Sequence, residues 1–251
     1  AGISNVESLD QMITKKGAIA KKWRSGSGNF AHIHGGCITH ATRIDDVVKR
    51  CGSTGKVTRH AKQTGFVRLS SGRTTLIMDC ATPVNPIPEN SASLASFEVH
   101  LAGTPFFVNS GQLSEEKFVN SAFCQTAAHT ALTLDNLNNC FPSGDYYDLV
   151  RALEIGPATG GMLVHVAHDG YMNSHGIVHE RHVYLTTGGG NIRGSDTLRY
   201  TGGPGEIPKT CIIRFHLHPR VSAAMVSNGT IMLKISTQKA GWLFKCKGAN
   251  P

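Results

Sequence analysis

What this sequence lacks narrows it first. It has no apolar run of roughly 18 residues, so no membrane-spanning helix is expected. Its seven cysteines stand singly, at 37, 51, 80, 124, 140, 211 and 246, with no Cys-x-x-Cys pair. That spacing indicates neither a thiolate zinc site nor a disulfide framework. Cys80 follows Leu76-Ile77-Met78 and Cys211 precedes Ile212-Ile213, so these two read as small core residues. Acidic residues are few, 17 against 25 Lys and Arg, and no pair of carboxylates for glycoside hydrolysis can be read from their positions. There is no Gly-x-Ser-x-Gly elbow and no Ser-His-Asp grouping, which counts against a nucleophile-type hydrolase. No dense Lys/Arg run, homeodomain, zinc-finger or RNP pattern occurs, so nucleic acid is not an expected partner. Residues Ala1 to Asn5 have no basic stretch leading into an apolar one and do not read as a signal peptide.

What is present points to strands. Glycine is plentiful at 28 residues, often beside Ser or another Gly, which favours short strands joined by tight turns. With 251 residues and 40% hydrophobic content, the chain can bury a sizeable core. The net charge of +8 suits a polyanionic partner. With nucleic acid unsupported, an acidic polysaccharide is the partner left open.

The N-terminal segment differs from the rest. Val6, Leu9, Met12, Ile13, Ile19 and Ala20 recur at helical spacing up to Lys22, with Ser4 and Glu7 as a capping box. A Gly-rich turn follows from Trp23 to Phe30, and a short helix is expected near Thr42–Cys51. Residues 1–60 therefore read as a partly helical lead-in. From residue 61 onward, apolar runs recur about every ten residues between turn signals. Phe66–Leu69 and Thr74–Asp79 flank Ser70-Ser71-Gly72-Arg73 as a hairpin, and Pro83, Pro86 and Pro88 mark a loop. Further strands are expected at 96–101, 105–109, 130–134, 162–168, 179–185, 191–195, 211–218, 223–226, 230–235 and 241–245. The expected fold class is all-β: a large antiparallel β-sandwich of layered sheets over 61–251, with a short helical N-terminal lead-in. The run Gly188-Gly189-Gly190 reads as a turn, since no strand–loop–helix context of the phosphate-binding type surrounds it.

Histidine is over-supplied, with 13 residues. They group as His165 with His168; His175, His179 and His182; and His216 with His218. Residues i and i+2 of a strand share a face, so His216 and His218 could form half of a zinc site, with Leu217 turned to the core. The alternative is a pair of satisfied histidines on a half-exposed sheet. His168-Asp169-Gly170-Tyr171 reads as a strand end and turn. His129 lies among small residues ahead of an apolar strand, a close-packed place for an imidazole.

These motifs also occur in the order of a known family. Gly65–Leu69 with Gly72-Arg73-Thr74 and Asp79 comes first, then Ser93 to Glu98 and Phe107–Gly111. Thr126-Ala127-Ala128-His129, His168–Tyr171, Gly176, His179-x-Arg181 and Gly194-x-Asp196 follow, then Phe215–Pro219 and Gly241–Phe244. Over about 180 residues this resembles the C-terminal half of heparinase II/III-like proteins, in particular the alphaproteobacterial type. Trp23 to Gly36 is similar to the end of the family's preceding helical domain. The resemblance implies a helical toroid followed by a layered β-sandwich, acting as a polysaccharide lyase by β-elimination on glycosaminoglycan-like, uronic-acid-containing polysaccharide. It implies that the toroid carries most of the catalytic groups, so that this chain lacks elimination activity without it. His129 maps onto the cleft-facing histidine, the catalytic candidate. His168, Tyr171, His179 and Arg181 are the implied substrate-binding residues. The resemblance also implies a divalent metal, zinc or calcium, near His129 and His168, and a periplasmic location. Three positions depart from the pattern. Thr130 stands where Asn or Ser is usual, Cys124-Gln125 replace a common Arg, and Ala131 replaces the second His of metal-binding relatives. The rival readings are a stand-alone polysaccharide-binding or structural sandwich, and a metal-dependent enzyme centred on the histidine clusters.

Overall fold

The structure is a computed structural model and describes residues 9–33, 40–52, 65–81, 91–111, 122–140, 148–203 and 205–248. The Ser4–Glu7 capping box and the Pro83–Pro88 loop lie outside the described residues. Two helices form the lead-in, α1 (Leu9–Lys22) and α2 (Ala41–Arg50). Each ends in basic residues, Lys21 and Lys22 or Lys49 and Arg50, which complement the negative helix C-terminus. No helix among the described residues is long and apolar enough to cross a membrane.

The rest is mainly antiparallel sheet, with a 3-10 turn at Thr126–Ala128 and one helical turn at Met172–His175. The first meander is β1 (Phe66–Ser71), β2 (Thr74–Asp79), β3 (Phe97–Leu101) and β4 (Thr104–Phe107), paired in that order. The short β5 (Leu132–Leu134) waits for a distant partner, β10 (Cys211–Ile213). Between them runs a second meander, β6 (Val150–Ala158), β7 (Gly161–Tyr171), β8 (Ile177–Thr186) and β9 (Ile192–Tyr200). A third, β11 (Val221–Met225), β12 (Ile231–Ile235) and β13 (Gly241–Phe244), closes the chain.

One apolar core joins the three meanders. Val67, Leu69, Leu76, Met78 and Val99 meet Val164, Val166, Val183 and Leu185, with Val221, Leu233 and Ile235 from the third sheet. These residues alternate along their strands, so one face of each sheet is turned inward. The opposite face of the first sheet is also covered. Ile77 packs there with Ala31 and Ile33 from the lead-in, and Trp23 meets Phe66 edge-on at 5.1 Å. The protein is thus an all-β layered sandwich with a short helical lead-in lying on one sheet.

The triple glycine is a packing device. At Gly72 in the β1–β2 turn, φ is +53°, and an added Cβ would stand 2.2 Å from the Gly188 carbonyl oxygen. At Gly189, φ is +72°, and its Cβ would stand 2.1 Å from the Ser71 carbonyl oxygen. The two hairpin tips interlock, and Thr74 Oγ1 donates to the Gly189 carbonyl at 2.7 Å. Only glycine permits this approach.

Candidate functional site

The polar centre is built on the middle of the second meander. Along β8, His179, Arg181, Val183 and Leu185 alternate inward and are all buried. His179 and Arg181 are two apart and share that face. Asp196 on β9 stands opposite Arg181, and His168 on β7 stands opposite His179. The pairing of β7 with β8 shifts between His168 and Tyr171. This bulge lets two residues three apart both turn inward. His168-Asp169-Gly170-Tyr171 is therefore a bulge inside a strand that runs on to Tyr171, rather than the strand end expected from its Asp-Gly pair.

Hydrogen bonds run through this centre in one direction. The Gly170 N–H donates to His168 Nδ1 at 3.2 Å, which places the His168 proton on Nε2. Nε2–H then donates to His179 Nδ1 at 2.9 Å, and His179 Nε2–H donates to Asp196 Oδ1 at 2.7 Å. Arg181 Nε donates to the same oxygen at 2.6 Å, while its Nη1 donates to the carbonyls of Ala95 at 2.8 Å and Thr130 at 3.0 Å. Burial pushes both imidazoles well toward neutrality, His168 most strongly, and the nearby Arg181 charge adds to it. Burial alone would raise the Asp196 carboxyl; the Arg181 guanidinium and the bonds from His179 and Arg181 overcome it and hold the group well below the usual carboxylate range. An added Cβ on Gly170 would stand 1.7 Å from the Asn139 carbonyl oxygen, so no side chain fits there.

His129 occupies the next segment. It follows a single 3-10 turn, Thr126–Ala128, and is fully buried. The turn is tied down by Thr126, whose N–H donates to Asn138 Oδ1 at 2.8 Å and whose Oγ1 donates to the Ala92 carbonyl at 2.8 Å. His129 Nδ1 donates to the Gln125 carbonyl at 2.8 Å, which fixes the tautomer and leaves Nε2 as a bare lone pair. That Nε2 is buried and has no hydrogen-bond partner among the described residues. Burial lowers the imidazole to about 4, against the Gln125 carbonyl, which pulls upward. At neutral pH the ring therefore carries no charge, and its Nε2 is unprotonated.

The residues anticipated from sequence fall into two groups. His168, His179 and Arg181 form one network. Tyr171 flanks it, with its ring 6.0 Å from that of His168 and its hydroxyl donating to the Leu132 carbonyl at 2.6 Å. His129 stands apart and is joined to the network through Arg181 and the Thr130 carbonyl. His168 has both ring nitrogens engaged, His129 offers one nitrogen, and among the described residues no group of three or more His, Cys, Asp or Glu could hold a metal ion. The sequence clusters of histidine are also divided. His165 and His182 stack at 4.2 Å on the outer face, away from His168 and His179. His175 Nδ1 donates to the Glu206 carbonyl. His216 Nε2 donates to the Ala127 carbonyl at 3.0 Å, while His218 Nδ1 accepts from the Arg220 N–H at 3.2 Å. Leu217 between them packs on the core as expected.

Three polar residues escaped the sequence reading as site residues: Asp196 in the centre, and Asn109 and Glu98 beside the His129 segment. Asp196 was findable by register. Leu185 pairs with Ile192 beside the glycine turn, and stepping equally back along both strands brings Arg181 to Asp196. Asn109 and Glu98 carry no local signal, because their partners are far away in the chain.

Comparison with known proteins agrees with this architecture. A curated relative, FtsZ-localized protein C of Caulobacter vibrioides, is 25% identical over 264 residues, covering 96% of this chain and 45% of that protein. Among solved structures, the heparan sulfate lyase HepC of Pedobacter heparinus (a mutant form) superposes with a TM-score of 0.60 at 15% identity, over 86% of this chain and 37% of that one. A heparinase III gene product superposes with a TM-score of 0.61 at 14% identity, over 89% and 36%. The chain thus spans less than half the length of each. Residues 53–251 match the family model described as heparinase II/III-like, C-terminal, and the chain belongs to that family.

Proposed function

We propose that this chain is the β-sandwich part of a heparinase II/III-like polysaccharide lyase, cleaving a uronic-acid-containing polysaccharide by β-elimination only when a helical catalytic domain completes the cleft. The observation that carries this reading is His129, a neutral imidazole with its proton fixed on Nδ1 and its Nε2 idle. In β-elimination a base takes the proton beside the uronate carboxylate. The electron pair forms the new double bond, the bond to the leaving sugar oxygen breaks, and an acid protonates that oxygen. His129 Nε2, unprotonated at neutral pH, is assigned the base side of that transfer; burial makes it a weak base in this chain, so completion of the cleft would have to strengthen it. It cannot neutralise the carboxylate, which needs a positive charge or strong donors. The proposal assigns that role, and the acid, to the helical domain. His168, His179, Arg181 and Tyr171 would contribute to substrate binding from behind, by holding the His129 segment in place. The net charge of +8 would steer an anionic glycan toward the protein without selecting it.

The test is the ultraviolet absorbance of unsaturated uronate over a panel of acidic glycans. The 251-residue chain alone should give none, and the form joined to a helical domain should give product. His129→Asn in that form should lower kcat by about 10²-fold or more. Absence of product on every glycan from the joined form would overturn the reading. A second reading, a stand-alone polysaccharide-binding or structural module, is favoured by the relative named FtsZ-localized protein C, which matches 96% of the chain. It expects salt-sensitive glycan affinity, or co-localisation with FtsZ, from a protein that never yields unsaturated product.

A further inference from the structure

A second polar cluster sits under the lead-in, on the far side of the first sheet. Glu98 lies on β3 opposite Ile77 and points away from the main core. It is 3% exposed, and among the described residues no Lys or Arg is paired with it. Among the described residues its one ion-pair contact is His100 Nε2, at 3.5 Å, too long for a strong hydrogen bond. Glu98 Oε1 instead accepts two backbone N–H groups, from His32 of the lead-in at 2.9 Å and from Asn109 after β4 at 3.2 Å. Burying a carboxylate is costly unless it is paired and hydrogen-bonded, so these two N–H donors offset part of the cost and tie Glu98 to both segments.

What it holds leads to His129. Asn109 Oδ1 accepts the Thr130 N–H at 2.8 Å, and Asn109 Nδ2 donates to Ser96 Oγ at 3.2 Å. Thr130 Oγ1 donates to the Val108 carbonyl at 3.3 Å, and the Ser110 N–H donates to the Ala128 carbonyl at 3.1 Å. The residues on either side of His129 are therefore both bonded to the segment that Glu98 anchors. On the lead-in side, His32 Nδ1 donates to the Asn109 carbonyl at 3.3 Å, so His32 and Asn109 are bonded to each other as well as to Glu98. Gly26 closes the cluster: an added Cβ there would stand 2.6 Å from His100 Cβ.

We propose that Glu98 is a positioning residue that couples the lead-in to His129, acting on His32 directly and on the Thr126–Thr130 segment through Asn109. The helical domain of the proposed lyase would precede this lead-in, so its placement on the sandwich would be communicated to the base through one carboxylate. The inference rests on the proposed role of His129 for its purpose, but the coupling exists with or without lyase activity.

The test therefore reads structure in the 251-residue chain rather than turnover. The His129 imidazole signal is followed by NMR, assigned with His129→Asn, and the lead-in is followed by limited proteolysis between Trp23 and Ile33. Glu98→Ala should move the His129 signal beyond its linewidth and speed lead-in cleavage by 10-fold or more, while the His168 and His179 signals stay. Glu98→Gln, which keeps an acceptor at Oε1, should restore much of both. Asn109→Ser should move the His129 signal and leave the lead-in protected. If Glu98→Ala proves too unstable to study, the Gln and Ser variants still decide. The coupling is refuted if the His129 signal is unchanged in Asn109→Ser, or if the lead-in loosens in a Glu98 variant without any response at His129. Failure of the lyase assay with these shifts intact would remove the reaction and leave the coupling.

Discussion

The Arg181–Asp196 pair sets the most demanding prediction. Arg181 is 2% exposed, and its guanidinium is always charged. The Asp196 side chain is 14% exposed and is the one carboxylate bonded to it among the described residues. Replacing Asp196 by Ala leaves that charge buried with two backbone carbonyls and no counter-ion, and removes the acceptor for His179 Nε2. Breaking a buried pair from one side costs about 3–5 kcal/mol. For a domain of this size that corresponds to a fall in Tm of about 6–20 °C. Removing both charges is different. Arg181→Met with Asp196→Leu strands no charge, so the double variant should lose clearly less than the sum of the single ones. The assay is thermal and urea unfolding of the four proteins of the cycle. A loss below about 1 kcal/mol for Asp196→Ala would show that the pair is solvated in solution, and strict additivity would show that the two groups do not depend on one another.

Three further outcomes follow from the same geometry. His129, His168 and His179 are all held neutral by burial, whereas the unfolded chain binds their protons below about pH 6.5. Stability should therefore be fully present above that pH and fall as pH drops; His129 alone accounts for about 3 kcal/mol between about 6.5 and about 4, so urea midpoints of His129→Asn should be flatter over that range. Gly170→Ala should fold poorly or shift the His168 signal, because its Cβ would lie 1.7 Å from the Asn139 carbonyl oxygen; normal stability by circular dichroism would contradict the tight packing. Tyr171→Phe should cost about 1 kcal/mol in urea unfolding by leaving the buried Leu132 carbonyl without its donor.

How much of this was legible in the sequence depends on how local the cause is. The β1–β2 hairpin and the lead-in helices were visible because period and turn chemistry are local: Phe66–Leu69 and Thr74–Asp79 around Gly72 became β1 and β2 almost residue for residue. Strand β6 was missed because Gly156 and Pro157 argue against a strand. The structure resolves this by placing β6 at the edge of its sheet, where a proline need not supply a ladder N–H. The histidine clusters misled for a related reason. His165 and His168 are neighbours in sequence, yet three residues apart on a strand they face opposite sides, and the bulge after His168 then returns Tyr171 to the inner face. The polar centre itself is defined by register across three strands and by contacts from Glu98 to His32 and from Asn109 to Thr130. Nothing local to those residues encodes them. That same non-locality explains why the site is sensitive at distant points. His129 is followed by a residue held on both sides: Asp196 through Arg181 and Glu98 through Asn109 reach the carbonyl and the N–H of Thr130. A change at either carboxylate should therefore reach His129 without touching it, whereas a change at outward-facing His165 or His182 should not.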